Sequence, residues 1–468
     1  MLTSIYTEIA NKKGTKIAVS FDDKEYSYDE FHTEIDKFAT FLKSKNIKPS
    51  QRVAVSNFSP VELLFSYYAG AKCGVSIVPI PFIDPQRLQG ALETSDAALF
   101  IESYPQLEST NIDVSFDQEA MVIFTSGTTS SKLKGVRLSQ CGINDICAFM
   151  NSKMEVDEGI AELVFASIDH AFGFGRCHSV LMAGGRIVLP TQLSNPLSIS
   201  SLFSKYDCNA LSTAPSLLAA LLQVGKSELA AVADNLKWLQ TGAMRFDHFF
   251  RIELCNSLPK TRIFLHYGLS EAMRVTFFEL NRNLDKVKTE GPASECSELK
   301  IIDEQGCALP PFESGRIAIR GSNLCLGYLD DELWNSQLQD GWFITSDVGY
   351  LDEQGYLVFS GRSDDVINYN GVLVHPDEIE SKLVTLFKSN AFTVLGMEDP
   401  SKVKDSIIVL CVEGETKVTL KDVAKHLKDT DSNFRPNKLF TLSELPRTRS
   451  GKVSRALIKK HLCEQYEK

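Results

Sequence analysis

The stretch VIFTSGTTSSKLKGVRLSQ, residues 122–140, sets hydroxyls, glycines and lysines directly after an apolar run. Thr125, Ser126, Gly127, Thr128, Thr129, Ser130 and Ser131 are followed by Lys132, Lys134 and Gly135. Hydroxyls and free backbone N–H groups can wrap a polyphosphate, glycine admits a positive φ, and lysine supplies charge. The loop does not fit G-x-x-x-x-G-K-[ST], because the fifth residue after Gly127 is Lys132 and no glycine precedes it. A Walker-type NTPase or kinase is therefore excluded. A phosphate loop of another kind and a solvated Ser/Thr turn both stay open.

Further stretches carry groups of comparable chemistry or frame them. HYGLSEA, from His266 to Ala272, follows the apolar run RIFL and offers an aromatic ring, a flexible glycine and a carboxylate. Residues 340–380 hold Asp347, then Gly361 and Arg362, then a glycine-bearing hairpin. GPASECSELKIIDEQG and GRIAIRGSNLCLGYL read as a β region before them. LPRTRSGKVSR, residues 445–455, presents Lys452 after a glycine in a positively charged tail.

The elements that must position these groups alternate between strand and helix. KIAVSF, RVAVSNF, VSIVPIP and AALFI read as strands. Ser27–Glu30 and Ser59–Glu62 are capping boxes, the second with proline at the first helical position. Phe31, Ile35, Phe38 and Leu42 fall on one face of the helix that follows the first box. The alternation predicts an α/β fold with a doubly wound, largely parallel sheet, whose ligands sit beyond the carboxyl ends of the strands. Near residue 362 the pattern gives way to a shorter α+β one: a hairpin, PDEIESKLVTLF as a helix, FTVLGM and SIIVLCV as strands, and LKDVAKHLKD as a helix. A chain of 468 residues is expected to divide into two or three domains.

Charge and composition remove whole classes of function. A net charge of -11 argues against a nucleic-acid partner. The longest apolar runs are strand-sized, and the first residues lack the apolar core of a signal peptide, so a cytoplasmic protein without a membrane span is expected. Eleven scattered cysteines with no C-x-x-C pair read as reduced thiols, and the eight histidines form no cluster fit for a transition metal.

In this order and spacing, ending in P-x-T-x-S-G-K, the stretches resemble the superfamily of adenylate-forming enzymes: acyl- and aryl-CoA synthetases, peptide-synthetase adenylation domains and luciferases. The resemblance runs from Ser27 to Arg455 and is nearest to acyl- or aryl-CoA synthetases. It implies a large N-terminal adenylation domain over 1–361, with doubly wound mixed sheets and a small distorted barrel. A hinge follows at 362–365, then a small mobile α+β domain over 366–468 carrying the catalytic lysine. By the same resemblance, Thr125, Ser126, Gly127, Thr128, Thr129 and Lys134 hold the β- and γ-phosphates of ATP. Tyr267 stacks on adenine opposite Gly242 and Ala243, and His266, Gly268 and Ser270 belong to the same nucleotide site. Glu271 coordinates Mg²⁺, Asp347 accepts from both ribose hydroxyls, and Arg362 donates to the ribose. Lys452 bridges the attacking carboxylate and the α-phosphate. Asp364 is the hinge, and Gly371 lines the path of a pantetheine thiol, supplied by CoA or by the phosphopantetheine arm of a carrier protein.

The chain also departs from the family. Ser130 stands where glycine is usual, the phosphate loop is one residue longer, Leu133 replaces proline, Ser346 replaces the glycine of T-G-D, and Asn368 replaces a lysine. A non-catalytic adenylate-binding descendant is therefore a third reading beside the CoA ligase and the carrier-loading enzyme. Aligned on Ala183 and Gly184, Ala171 occupies the place of the aspartate that holds an α-amino group, which disfavours an amino-acid substrate, although Asp169 lies nearby. Phe172, Phe174, Met244 and Leu269 suggest a partly apolar pocket for an aryl or acyl acid. His170 borders that pocket or is structural. Tyr267 stacks on the base or belongs to the core. Arg176 meets a second carboxylate of the substrate or lies on a helix surface.

Overall fold

The computed structural model describes residues 4–80, 85–105, 114–125, 133–191, 196–242, 244, 246–369, 372–387, 390–398, 406–430, 434–447 and 453–466. The capping boxes form as expected. Ser27 Oγ accepts from the Glu30 amide while the Glu30 side chain returns to the Ser27 amide, opening helix Tyr28–Ser44. Ser59 and Glu62 do the same for helix Pro60–Cys73. Phe31, Ile35, Phe38 and Leu42 are fully buried, each contributing about 1.5–3 kcal/mol of hydrophobic stabilisation. Strands Ile17–Phe21 and Lys24–Ser27 pair across a tight turn at Asp22 and Asp23, both with positive φ. This is the left-handed geometry that suits the twist of a two-residue hairpin.

Two sheets are mainly parallel. The larger has eight strands in the order Phe278–Glu279, Arg262–His266, Trp238–Gly242, Ala210–Thr213, Ala161–Phe165, Arg186–Leu189, Ile17–Phe21, Lys24–Ser27. The second has six: Gly327–Tyr328, Lys134–Ser139, Glu119–Thr125, Ser76–Pro79, Arg52–Val55, Leu99–Ile101. In the larger sheet the two edge strands run antiparallel to their neighbours, and in the second Lys134–Ser139 runs antiparallel to both strands beside it. Helix Pro60–Cys73 is buried at every position from Leu63 to Cys73, and its Tyr67 and Tyr68 meet Phe174 of helix Ala171–Ala183. Such all-round burial belongs to a helix covered on both sides, and it erases the amphipathic stripe.

The expected distorted barrel is an open, antiparallel half-barrel. Its path runs Gly291–Pro292, Tyr356–Arg362, Trp342–Leu351, Gly315–Gly321, Ser297–Ile302, with Leu338–Gln339 on the side. Beyond Arg362, among the described residues, the strands pair only among themselves: a hairpin of Ile367–Tyr369 and Val372–Val374, and a three-stranded sheet of Phe392–Glu398, Ser406–Glu413 and Lys438–Leu442. No helix among the described residues is long and apolar enough to cross a membrane.

Arg176 is neither at a helix surface nor open to a substrate. Its Nε and Nη2 donate to the two carboxylate oxygens of Glu162 at 3.1 and 2.8 Å, both side chains have no exposure, and the guanidinium lies 5.0 Å from the Trp238 ring. The pair joins helix Ala171–Ala183 to the floor of the large sheet. Arg176→Met strands the Glu162 charge in the core and should cost about 3–5 kcal/mol, read as a lower urea midpoint. The double variant Arg176→Met, Glu162→Met should recover most of that loss.

Candidate active site

The chemistry-bearing residues gather where parallel strands end. Thr125 ends the strand Glu119–Thr125, and its ladder partner is Lys134. Gly242 and His266 end neighbouring strands and face each other in register. Gly242 has φ +157, and a Cβ there would collide with the His266 carbonyl oxygen and ring. The backbone of the two strand ends can approach this closely only at glycine. His266 is buried, 3.3 Å from Gln240 Nε2, and its ring centroid lies 5.1 Å from that of Phe172. Burial, reinforced by the charge of Arg274, pushes its pKa well below the ordinary value, so the ring is neutral. At Gly268 a Cβ would meet the Arg274 amide nitrogen at 2.6 Å, because the loop after His266 folds back on itself. Ser270 is half-buried in that loop. Ser126, Gly127, Thr128, Thr129, Ala243, Gly371 and Lys452 lie outside the described residues.

Two phenol–carboxylate pairs organise the site. Tyr267 Oη donates to Asp347 Oδ2 at 2.6 Å. Asp347 is buried on strand Trp342–Leu351 directly opposite Arg362, whose Nε lies 4.0 Å from Asp347 Oδ1. Burial, and after it the Asp347 charge, raise the Tyr267 pKa well above its usual value, so the phenol keeps its proton and remains a donor. Burial opposes the charge of Arg362, but Asp347 and Asp364 outweigh it and hold the guanidinium above its ordinary pKa. In the second pair, Tyr328 Oη lies 2.7 Å from Glu271 Oε1 and 3.0 Å from Gln337 Oε1. Lys134 Nζ sits 5.3 Å from the centroid of the same Tyr328 ring, within cation–π range. The charges of Glu271 and Arg362 act on both phenols, which puts the two pairs within electrostatic reach of each other.

Tyr328 was not singled out by sequence reasoning, although it is the penultimate residue of the run GSNLCLGYL. Its signal is an aromatic residue after Gly327, a glycine with φ +130 at a sheet edge.

The proposed pocket residues divide. Phe172 and Leu269 stay near His266 and Tyr267, with Arg274 placed 5.3 Å over the Phe172 ring and donating to the Ala171 and Phe172 carbonyls. His170 is the N-cap residue of helix Ala171–Ala183 and lies 3.8 Å from Asp169. Phe174 belongs to the core: it is buried, 4.9 Å from the Tyr67 ring and stacked on His178 at 6.0 Å. Met244 lines a separate cavity of about 180 Å³ with Pro215, Phe246, Phe250, Val384 and Phe392.

A Mg²⁺ ion fits this donor set. Glu271 offers a half-buried carboxylate, a hard oxygen donor, and no group of three or more His, Cys, Asp or Glu side chains suited to a metal occurs among the described residues. A small cation would then be shared between one carboxylate, phosphate oxygens and water rather than caged by protein.

The chain belongs to the AMP-binding enzyme family, whose model matches residues 6–118 and 104–329. Tyrocidine synthase 2 of Brevibacillus parabrevis is 24% identical over 98% of this chain, which spans 14% of that much longer protein. The 2-succinylbenzoate–CoA ligase of Bacillus velezensis is 25% identical, with 94% of each chain covered. The solved structure of o-succinylbenzoate CoA synthetase from Bacillus subtilis with its acyl-adenylate matches with a TM-score of 0.87 at 21% identity, over 98% of both chains. A second structure of that synthetase, with ATP and a magnesium ion, matches with a TM-score of 0.85 at 20% identity, over 97% of this chain and 98% of the other. These structural likenesses establish the fold.

Tyr328→Phe keeps the ring beneath Lys134 and removes only the hydroxyl beside Glu271. Loss of a hydrogen bond to a charged group should lower stability by about 1.5–3 kcal/mol at most, measured by urea unfolding. An unchanged midpoint would show that Glu271 finds another donor.

Proposed function

We propose that this chain is an AMP-forming acid–thiol ligase. It joins a carboxylic acid to the AMP portion of ATP and then passes the acyl group to a pantetheine thiol. The observation that carries this reading is the convergence of Tyr267, Asp347 and Arg362 with Glu271 and Lys134 beyond the carboxyl ends of parallel strands. This is where ligands of doubly wound sheets bind. The names of the relatives support it: a CoA ligase matched over nearly its whole length and a synthetase solved with an acyl-adenylate.

In the first half-reaction a carboxylate oxygen of the acid attacks the α-phosphorus, the bond to the bridging oxygen breaks, and pyrophosphate leaves. Two anions must meet, so most of the barrier is electrostatic and fixed cations lower it. Lys452 is assigned to the attacking carboxylate and the α-phosphate, and Lys134 with the 125–129 hydroxyls to the departing phosphates. Glu271 would hold Mg²⁺, which when bound neutralises charge on the polyphosphate. Tyr267 and the Gly242 shelf take the adenine, and Asp347 and Arg362 take the ribose. In the second half-reaction the thiol sulfur attacks the acyl carbon, and AMP leaves with the bonding pair. CoA and the arm of a carrier protein present the same thiol. Phe172 and Leu269 favour an aryl or acyl acid with an apolar body.

We assign the large domain to 1–361, the hinge to 362–365 and the small domain to 366–468. Lys452 and Gly371 must serve one site in turn, so the small domain rotates about Asp364 between half-reactions.

ATP–pyrophosphate exchange with a panel of aryl and acyl acids tests the reading, and no exchange with any acid would remove it. Thioester formation assayed with CoA and with carrier protein separates the two acceptors. Lys452→Ala should abolish exchange yet still turn preformed acyl-AMP and thiol into thioester, whereas equal loss of both steps would mean misfolding. Proline fixes φ and removes a donor, so Asp364→Pro should keep exchange and slow thioester formation by orders of magnitude. Parallel loss in the two assays would refute the hinge.

A further inference from the structure

Ser346 stands one residue before Asp347 on strand Trp342–Leu351, at a position where the related T-G-D motif has glycine. Its hydroxyl accepts from Arg362 Nη2 at 2.6 Å, while the same Nη2 reaches Asp364 Oδ2 at 3.2 Å. Its carbonyl accepts from Ser363 Oγ at 3.0 Å. One strand residue thus grips the guanidinium and the first residue of the turn Ser363–Asp365.

We propose that Ser346 is a positioning residue for nucleotide binding: its hydroxyl holds Arg362 where the guanidinium and the Asp347 carboxylate face the ribose hydroxyls together. This rests on the acyl-adenylate reading above. Arg362 is a long side chain, 43% exposed, with two carboxylates competing for it. Asp364 is the closer of the two at 3.2 Å and is itself 40% exposed, so it draws the guanidinium toward the turn and solvent. Asp347, at 4.0 Å, is buried and fixed by Tyr267. The Ser346 hydroxyl supplies a second, neutral acceptor for the Nη2 that Asp364 also holds, tying the guanidinium to the strand that carries Asp347 without adding a charge. Glycine or alanine at this position offers no such acceptor, and Arg362 must then be ordered when the nucleotide binds. Ordering one flexible side chain lowers affinity by about two- to tenfold.

The test is calorimetric titration of the full-length protein with ATP, and separately with 2′,3′-dideoxy-ATP, without acid or thiol. Ser346→Ala and Ser346→Gly should bind ATP about two- to tenfold more weakly than the parent and dideoxy-ATP equally well, while Ser346→Thr keeps parental affinity for both. ATP affinity unchanged in both the alanine and glycine variants overturns the inference. So does an equal loss for the two nucleotides, which marks a merely structural effect, or a threonine variant as weak as alanine. If the parent itself binds no ATP, the acyl-adenylate reading falls and this inference with it. If the parent binds and the variants match it, only the role of Ser346 falls.

Discussion

Three sheets meet at the site, and two phenol–carboxylate hydrogen bonds hold the junction. Tyr267, one residue beyond the large sheet, donates to Asp347 in the half-barrel. Tyr328, on the edge strand of the second sheet, lies against Glu271 in the loop that leaves the large one. Each bond pairs a donor that burial keeps protonated with an acceptor that would be costly to leave unmatched. The same two carboxylates are the ones assigned to ribose and Mg²⁺. A group that fastens the fold and also faces the ligand cannot be altered for one purpose without disturbing the other. The readouts that matter for these residues are therefore those that separate affinity from stability.

Local signals were the legible ones. The capping boxes at Ser27 and Ser59, the apolar face from Phe31 to Leu42, and the change of pattern near residue 362 all follow from residues within a turn or two of each other. HYGLSEA is also a short local run, and it forms the fold-back loop after His266, whereas most of the hydroxyl loop lies outside the described residues. Pairings between distant residues were hidden. Tyr267 and Asp347 are 80 positions apart, and nothing in either stretch states that one oxygen meets the other. Tyr328 escaped for the same reason, since its partner Glu271 is 57 positions away.

Helix Ala171–Ala183 marks a second limit. It is buried at Phe174, Cys177, Val180 and Leu181, and also at Arg176, His178 and Ser179. A helix covered on every side has no polar stripe to show which face meets a pocket. Phe174 reads like a pocket residue and Arg176 like a surface one on the same grounds, yet both are core. What fixes their places is external: Tyr67 and Tyr68 on one neighbouring helix, and Glu162 on a strand. Those partners come from separate parts of the chain, and only the layer order brings them together.

The turn Ser363–Asp365 connects this junction to the rest of the chain. Asp364 is held from the site side by Arg362, and Asp365 from the tail side by Arg455 at 2.8 Å. Arg455 also takes Glu380 at 2.9 Å and the Val394 carbonyl at 3.0 Å, so it fastens the start of helix Arg455–Tyr466 to helix Pro376–Leu383 and strand Phe392–Glu398. Three carboxylates surround this arginine; burial opposes its charge, and Glu380, Asp377 and Asp365 raise its pKa despite that. The two arginines differ in what else they grip. Arg362 shares its donors with the exposed Asp364 and a single serine hydroxyl, whereas Arg455 holds Asp365 of the turn together with Glu380 and the Val394 carbonyl beyond it. Under the proposed rotation about this turn, the bond from Arg362 to Asp364 would be the one at risk, whereas those from Arg455 to Glu380 and the Val394 carbonyl lie wholly beyond the turn and would persist.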